Sequence, residues 1–279
     1  MVYDKIDETL IPIQKWVSEH DTLPKIDTLV LKHFINVCNG NIQEIQKLIE
    51  LHYSIRNSYS NLFIERDPTS KESQNSLRAS DVIYLPKLTS DNSIIQISRI
   101  SDPDPDKYNH PETVKTVAMV YDMLFRTIPE TQIIDSVISI FDSANISLRH
   151  VSKISISALR GFMKFYEKGT AYKIAQIHVI NCPSYINKIM AVLRPFMADH
   201  INKMINFHQP NSQTLFKYIS KDLLPIEFGG TGESLELLRI KQRENLIKHR
   251  DYLIDLNYWK HKDKIVPKIE KDFQNLNLD

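Results

Sequence analysis

The chain has 279 residues, 42% hydrophobic and 25% charged, enough for a sizeable core and an internal cavity. Its 35 Lys and Arg balance 34 Asp and Glu, so the net charge of +1 excludes the standing cation excess that nucleic-acid backbone binding needs. Two cysteines, Cys38 and Cys182, cannot build a disulfide framework, and Met1–Leu10 opens on charges rather than an apolar run. The compartment is read as reducing and cytoplasmic.

From Thr9 to about Phe63 the apolar residues fall at helical spacing. Leu10, Ile13, Trp16 and Val17 share one face, Leu29, Leu31, Phe34, Ile35 and Val37 follow the breaker Pro24, and Ile42, Ile45, Leu48, Ile49 and His52 repeat the stripe. This is an all-α unit, residues 1–75. The Ser-, Lys- and Asn-rich stretch from Asp67 to Asp81 reads as an exposed connection closing it. The main domain then runs over 76–250, with 251–279 as a C-terminal extension.

Ile94, Ile95, Ile97 and Ile100 mark a strand before the Asp-Pro-Asp-Pro turn at 102–105, and Thr113 to Phe125 returns to helical spacing. Ile133 to Phe141 is a β-branched run suited to a strand buried on both faces, Ser152 to Tyr166 is helical, and Ile174 to Ile180 is a second buried strand. Strand, helix, strand in this order implies parallel pairing through a right-handed crossover, hence an α/β fold. Ile186, Ile189, Met190, Leu193, Phe196, Met197, Ile201 and Met204 then recur at three- and four-residue steps, an apolar face on two helices divided at Pro195. An ordinary core helix explains the spacing; the methionines and the break also suit an adaptable lid over an apolar ligand. No segment is long and apolar enough to span a bilayer; the longest uncharged run in this half, Ile174 to Asn187, is interrupted by His178, Asn181 and Pro183.

Chemistry-bearing motifs fail on detail. Gly229-Gly230-Thr231-Gly232 lacks the Lys-Ser/Thr of a phosphate loop, and Ser234 lacks the following glycine of a nucleophile elbow. Ten histidines show no HExxH and the cysteines no CxxC, so neither a metal nor a cofactor is expected. His178, inside a buried strand, reads as a satisfied core imidazole. The cationic run Lys241 to Arg250 reads as a solvated helix face. No enzyme emerges.

Three motifs in order carry a resemblance: Ile177-His178-Val179-Ile180-Asn181-Cys182-Pro183, then Pro195-Phe196, then Leu224-Pro225-Ile226-Glu227-Phe228-Gly229-Gly230. Together they resemble the CRAL-TRIO lipid-binding family, nearest its α-tocopherol transfer and retinaldehyde-binding branch and its divergent insect members. The N-terminal helices resemble the small helical module that precedes this domain, with Lys32-His33-Phe34-Ile35 where an Arg-Phe-Leu element is usual. The resemblance implies a mainly parallel twisted sheet floored by helices, an apolar cavity, and a movable helical gate from Asn181 to about Met204.

Carried onto this sequence, the resemblance implies a ligand wall of Met119, Met123, Val137, Phe162, Phe165, Tyr166, Ile174 and Ile177, with Ile189, Val192, Leu193, Phe196 and Met197 from the gate. Met119 and Met123 stand where a tocopherol pocket carries small polar residues, implying a wholly apolar wall suited to a polyene or hydrocarbon-rich lipid. Of the phosphoinositide-reading cations only Lys173 is kept; Ala175, His200 and Met204 replace the rest. Each missing cation forgoes roughly 1 kcal/mol at an anionic leaflet, so membrane contact is expected to be transient and weakly selective. The implied function is binding and transfer of a carotenoid, retinoid or tocopherol, with phosphatidylinositol or phospholipid exchange as the alternative.

Overall fold

The computed structural model describes residues 2–129 and 131–261, so 262–279 of the expected C-terminal extension lie outside the described residues. Four helices open the chain: α1 (Val2–Glu19), α2 (Thr28–Val37), α3 (Ile42–Ser58) and α4 (Ser60–Phe63). Asn41 caps α3 by accepting from the N–H groups of Gln43 and Glu44. The expected helical unit is present, but the exposed connection after it is not. Lys71–Ala79 forms helix α5, capped by Ser70 and burying Ser73, Ser76, Leu77 and Ala79. Small serines spaced along one helical face, such as Ser76 bonded to Thr116 at 3.2 Å, are packed here rather than solvated.

Among the described residues the sheet has five strands in the order β1 (Ser80–Leu88), β2 (Ser93–Ile100), β3 (Ser136–Asp142), β4 (Lys173–Ile180) and β5 (Ile205–Phe207). β1 pairs antiparallel with β2 and the remaining pairs are parallel, so the mixed α/β architecture with a mainly parallel sheet stands. The sequence reading lacked β1. It is an edge strand whose register breaks between Tyr84 and Leu88, which is how it accommodates Pro86. β3 starts three residues later than the Ile-rich run, because Ile133 and Ile134 pack into the core of the N-terminal helices.

Helices α6 (His110–Thr127), α7 (Leu148–Ser152) and α8 (Ile156–Lys168) connect the parallel strands, and the expected helix from Ser152 is broken at Lys153–Ser155, with Ser155 capping α8. After β4 come α9 (Ile186–Leu193), a tight 3₁₀ turn over Arg194–Phe196 and α10 (Asp199–Lys203); the break falls at Pro195 as the sequence requires. α11 (Leu235–Lys248), α12 (Arg250–Ile254) and α13 (Leu256–Trp259) complete the described chain.

Cross-strand register divides the sheet side chains into two faces. Ile83, Leu85, Ile95, Ile97, Ile138, Ile140 and Ile180 pack beneath residues 215–238. The Leu224–Gly230 motif closes that face. Its Glu227 carboxylate accepts the N–H of Leu235 at 2.9 Å to cap α11, Gly229 takes φ +76°, and a Cβ on Gly232 would meet the Leu224 carbonyl at 2.8 Å. The opposite face carries Val82, Tyr84, Ile94, Gln96, Ser98, Val137, Ser139, Phe141, Ile177 and Val179 toward the connecting helices.

The N-terminal helices share a core with this second face. His33 donates from Nδ1 to the Leu29 carbonyl at 2.8 Å and accepts the Ile134 N–H at 3.2 Å, while Asn36 reaches Asp135 at 2.8 Å. Deeper in the joint, Arg56 of α3 and Arg66 both pair with Asp122 of α6, all three buried, and the Trp259 ring covers both guanidinium groups at 5.0 and 4.5 Å.

Candidate functional site

The segment from Asn181 to Met204 is an excursion whose two ends meet. Asn181 adopts φ +53° and donates its side-chain amide to Asp142 at 2.9 Å, turning the chain sharply off β4. The Cys182 N–H donates to the His208 carbonyl at 3.0 Å, and the His208 N–H to the Val179 carbonyl at 2.8 Å, so exit and return are tied to one strand end. Between these ties, side-chain bonds join the segment to its neighbours. Tyr185 donates to the Ile146 carbonyl at 2.7 Å, and the Ala198 N–H donates to the Glu167 carboxylate of α8 at 3.0 Å.

Beneath the ties, on the other face of the sheet, His178 and His208 are buried 3.0 Å apart, nitrogen to nitrogen. His178 also bonds Gln176 at 2.9 Å, and His208 bonds Thr214 at 2.7 Å. Burial, and then the neighbouring imidazole, hold His178 down to about 4. It is the satisfied core histidine that its strand position implies.

Where this segment meets α8 and the sheet, the packing loosens. Only Tyr166, Ile177 and Ile201 are fully buried in that cluster, ringed by half-buried Phe141, Phe162, Ile174, Met197, Ala198, Met204 and Ile205. Val192 and Phe207 are 38% and 40% exposed. A cleft of about 280 Å³, open to the surface, lies beside it, bounded by Tyr166, Glu167, Lys168, Thr170, Tyr172, Lys173, Ile174, His200, Ile201 and Met204, with Val37 and Leu48 of the N-terminal helices.

The expected wall residues separate into four groups. Phe162, Tyr166, Ile174, Ile177 and Met197 do meet in the loose cluster. On α9 Ile189 is buried and Leu193 half-buried, Phe196 is half-buried, and the Arg160 guanidinium lies 5.8 Å from the Phe196 ring. Val137 and Phe165 belong instead to the core shared with the N-terminal helices, Phe165 stacking on Phe63 at 4.8 Å. Met119 and Met123 lie elsewhere again, packed with Leu77, Val82, Leu246 and Leu253, because α6 turns that face toward α5, β1 and the C-terminal helices. The soft apolar wall expected of these two methionines is therefore not part of this cluster.

Lys173, His200 and Met204 all line this cleft, and Ala175 is the exposed extra residue of a bulge between β3 and β4. Sequence reasoning missed the polar residues on the same sheet face: Tyr84, Gln96, Ser139 and Tyr172. Gln96 and Ser98 alternating with isoleucines inside a strand buried on both faces was the available signal.

Comparison with known proteins decides the family. Residues 78–230, more than half of the chain, match the CRAL/TRIO domain. The chain belongs to the CRAL/TRIO domain family. Residues 3–73 match the Pinta-like UBA domain. Relatives of this CRAL/TRIO chain include Clavesin-1 of Xenopus laevis, 34% identical over 98 residues, covering 35% of this chain and 30% of that protein. Clavesin-1 of Rattus norvegicus is 28% identical over 128 residues (46% and 36%), and Clavesin-2 of Homo sapiens 28% over 127 (46% and 38%). The chain thus spans about a third of the length of the curated relatives it matches. A solved structure, the crystal structure of Sfh5, aligns over 86% of this chain and 91% of its own, at a TM-score of 0.49 and 12% identity. Among the described residues no helix is long and apolar enough to cross a membrane.

Proposed function

We propose that this CRAL/TRIO chain binds a small lipophilic molecule between α8, the sheet and the 181–204 gate, and carries it between membranes without changing it chemically. One observation supports this above the others: the cluster under the gate has three fully buried members and a ring of half-buried apolar ones. Apolar surface left half wet is unfavourable by about 25 cal/mol per Å², and a lipophilic ligand would remove that cost. The same term opposes release into water, so release requires a membrane that receives ligand and gate together.

The favoured ligands are of the carotenoid, retinoid or tocopherol class. Lys173 in the cleft favours a second reading, phosphatidylinositol or phospholipid exchange, because an exposed ammonium there would meet a phosphate. Ala175 and Met204 carry no charge, so headgroup selectivity is expected to be weak. The test is transfer from donor to acceptor vesicles, comparing fluorescent retinol with a fluorescent phosphatidylinositol. Retinol transfer well above the uncatalysed rate supports the first reading, preferential phosphatidylinositol transfer the second, and transfer of neither contradicts both.

A further inference from the structure

A polar row crosses the buried sheet face against which α6 packs at β1 and which Tyr166 of α8 reaches at Ser139. Tyr84 of β1, Gln96 of β2, Ser139 of β3 and Ile177 of β4 are direct cross-strand neighbours, so they form one line across four strands. Gln96 is 5% and Ser139 1% exposed. The Ser139 hydroxyl lies 2.7 Å from the Tyr166 hydroxyl and 3.4 Å from Gln96 Oε1. An amide oxygen only accepts, so Ser139 gives its proton to Gln96 and Tyr166 gives its own to Ser139. At the other end of the row, Tyr84 and Tyr172 join hydroxyls at 3.1 Å, and Tyr166 and Tyr172 both bound the 280 Å³ cleft.

The row is under-satisfied at Gln96. Its acceptor bond is 3.4 Å long, and its amide nitrogen, with two protons to give, has one bond of 3.5 Å to Ser98 among the described residues. A buried primary amide with spare donor capacity is costly in a core built only for packing. Ser98, in the next cross-strand row beside half-buried Phe141, is itself only half-buried.

From this placement we infer that Gln96, Ser139 and Tyr166 form a neutral polar anchor for a single uncharged oxygen of the lipophilic ligand, an alcohol or carbonyl. This rests on the lipid-binding reading and narrows it: a pure hydrocarbon is disfavoured, as is a carboxylate, since no member of the anchor is charged. The amide N–H of Gln96 donates to the ligand oxygen, and an alcohol can return its proton to the Tyr166 oxygen. Burial raises the Tyr166 phenol to about 12, keeping it protonated at neutral pH.

The experiment compares 10-(1-pyrenyl)decanol with 1-decylpyrene, matched in all but the hydroxyl, by fluorescence titration of the full chain. The inference expects the alcohol to bind at least about tenfold more tightly, and this preference to collapse in Gln96→Leu while hydrocarbon affinity persists. Tyr166→Phe, which keeps the ring packing, is the second variant and is expected to reduce the preference in part. Equal affinities in the unaltered chain, or a preference unchanged in both variants, overturn the anchor and leave the lipid-binding reading standing. Binding of neither probe overturns both.

Discussion

At the scale of single residues, the buried imidazoles set a pH dependence. Burial holds His33 and His178 down to about 4 against an ordinary 6.5, so the folded chain keeps them neutral where the unfolded chain takes up protons. Their contribution is complete above about pH 6.5 and is lost as pH falls toward about 4. Urea unfolding is therefore expected to show stability declining across that window, with a shallower decline in His178→Gln. Asp122 is the second sensitive residue. Arg56 is held above its ordinary value, its burial outweighed by the carboxylate, whereas burial dominates at Arg66 and pulls it down. Asp122→Ala leaves two buried cations uncompensated and is expected to cost about 3–5 kcal/mol in chemical denaturation. A loss within 1 kcal/mol would show that water reaches this joint.

At the scale of elements, side-chain bonds join the gate to its neighbours, and its dynamics are open to mutation. Glu167→Ala removes the carboxylate that accepts the Ala198 N–H, so vesicle-to-vesicle transfer is expected to quicken several-fold with little change in unfolding midpoint. Asn181→Val forces a β-branched residue into φ +53° and also loses the bond to Asp142, and is expected to cost about 1–2 kcal/mol more than Asn181→Gly, which loses the same bond without the backbone strain. Most elements were legible because their periods are regular: the α6 stripe, the β3 and β4 isoleucines, and the division at Pro195. β1 was hidden by Pro86, which argues against a strand unless the strand lies at an edge. α5 was hidden because its buried face is built from Ser73 and Ser76, which composition reads as solvated. Of the candidate site, Phe162, Tyr166, Ile174 and Ile177 were legible through the family motif beside them. The separation of Met119 and Met123 was not, since which way a helix face turns depends on α11 and α12, far away in sequence.

At the scale of the whole molecule, the described C-terminal helices act as a strap joining the two parts. Arg250 pairs with Asp67, Arg126 lies 3.6 Å from the Tyr252 ring centre, the Lys25 N–H donates to the Asn257 carbonyl at 2.8 Å, and Trp259 covers the Arg56–Asp122–Arg66 group. Trp259→Ala is expected to cost about 3–5 kcal/mol. Because it acts on the same buried group as Asp122→Ala, the two losses should sum to less when combined. The strap fixes the N-terminal helices, whose Val37 and Leu48 line the cleft beside the gate. Ligand retention and overall stability are thereby coupled: a lipid that binds only the folded chain should raise the unfolding temperature, with stabilisation growing logarithmically with free lipid above its Kd.

The central claim is that a lipophilic molecule occupies the space between α8, the sheet and the gate. The most direct measurement is native mass spectrometry and solvent extraction of the chain after incubation with vesicles made from a total lipid extract. The account expects one lipophilic molecule per chain, lost in Ile177→Trp, which fills the loose cluster. A chain that remains folded and returns from the vesicles without lipid would contradict it.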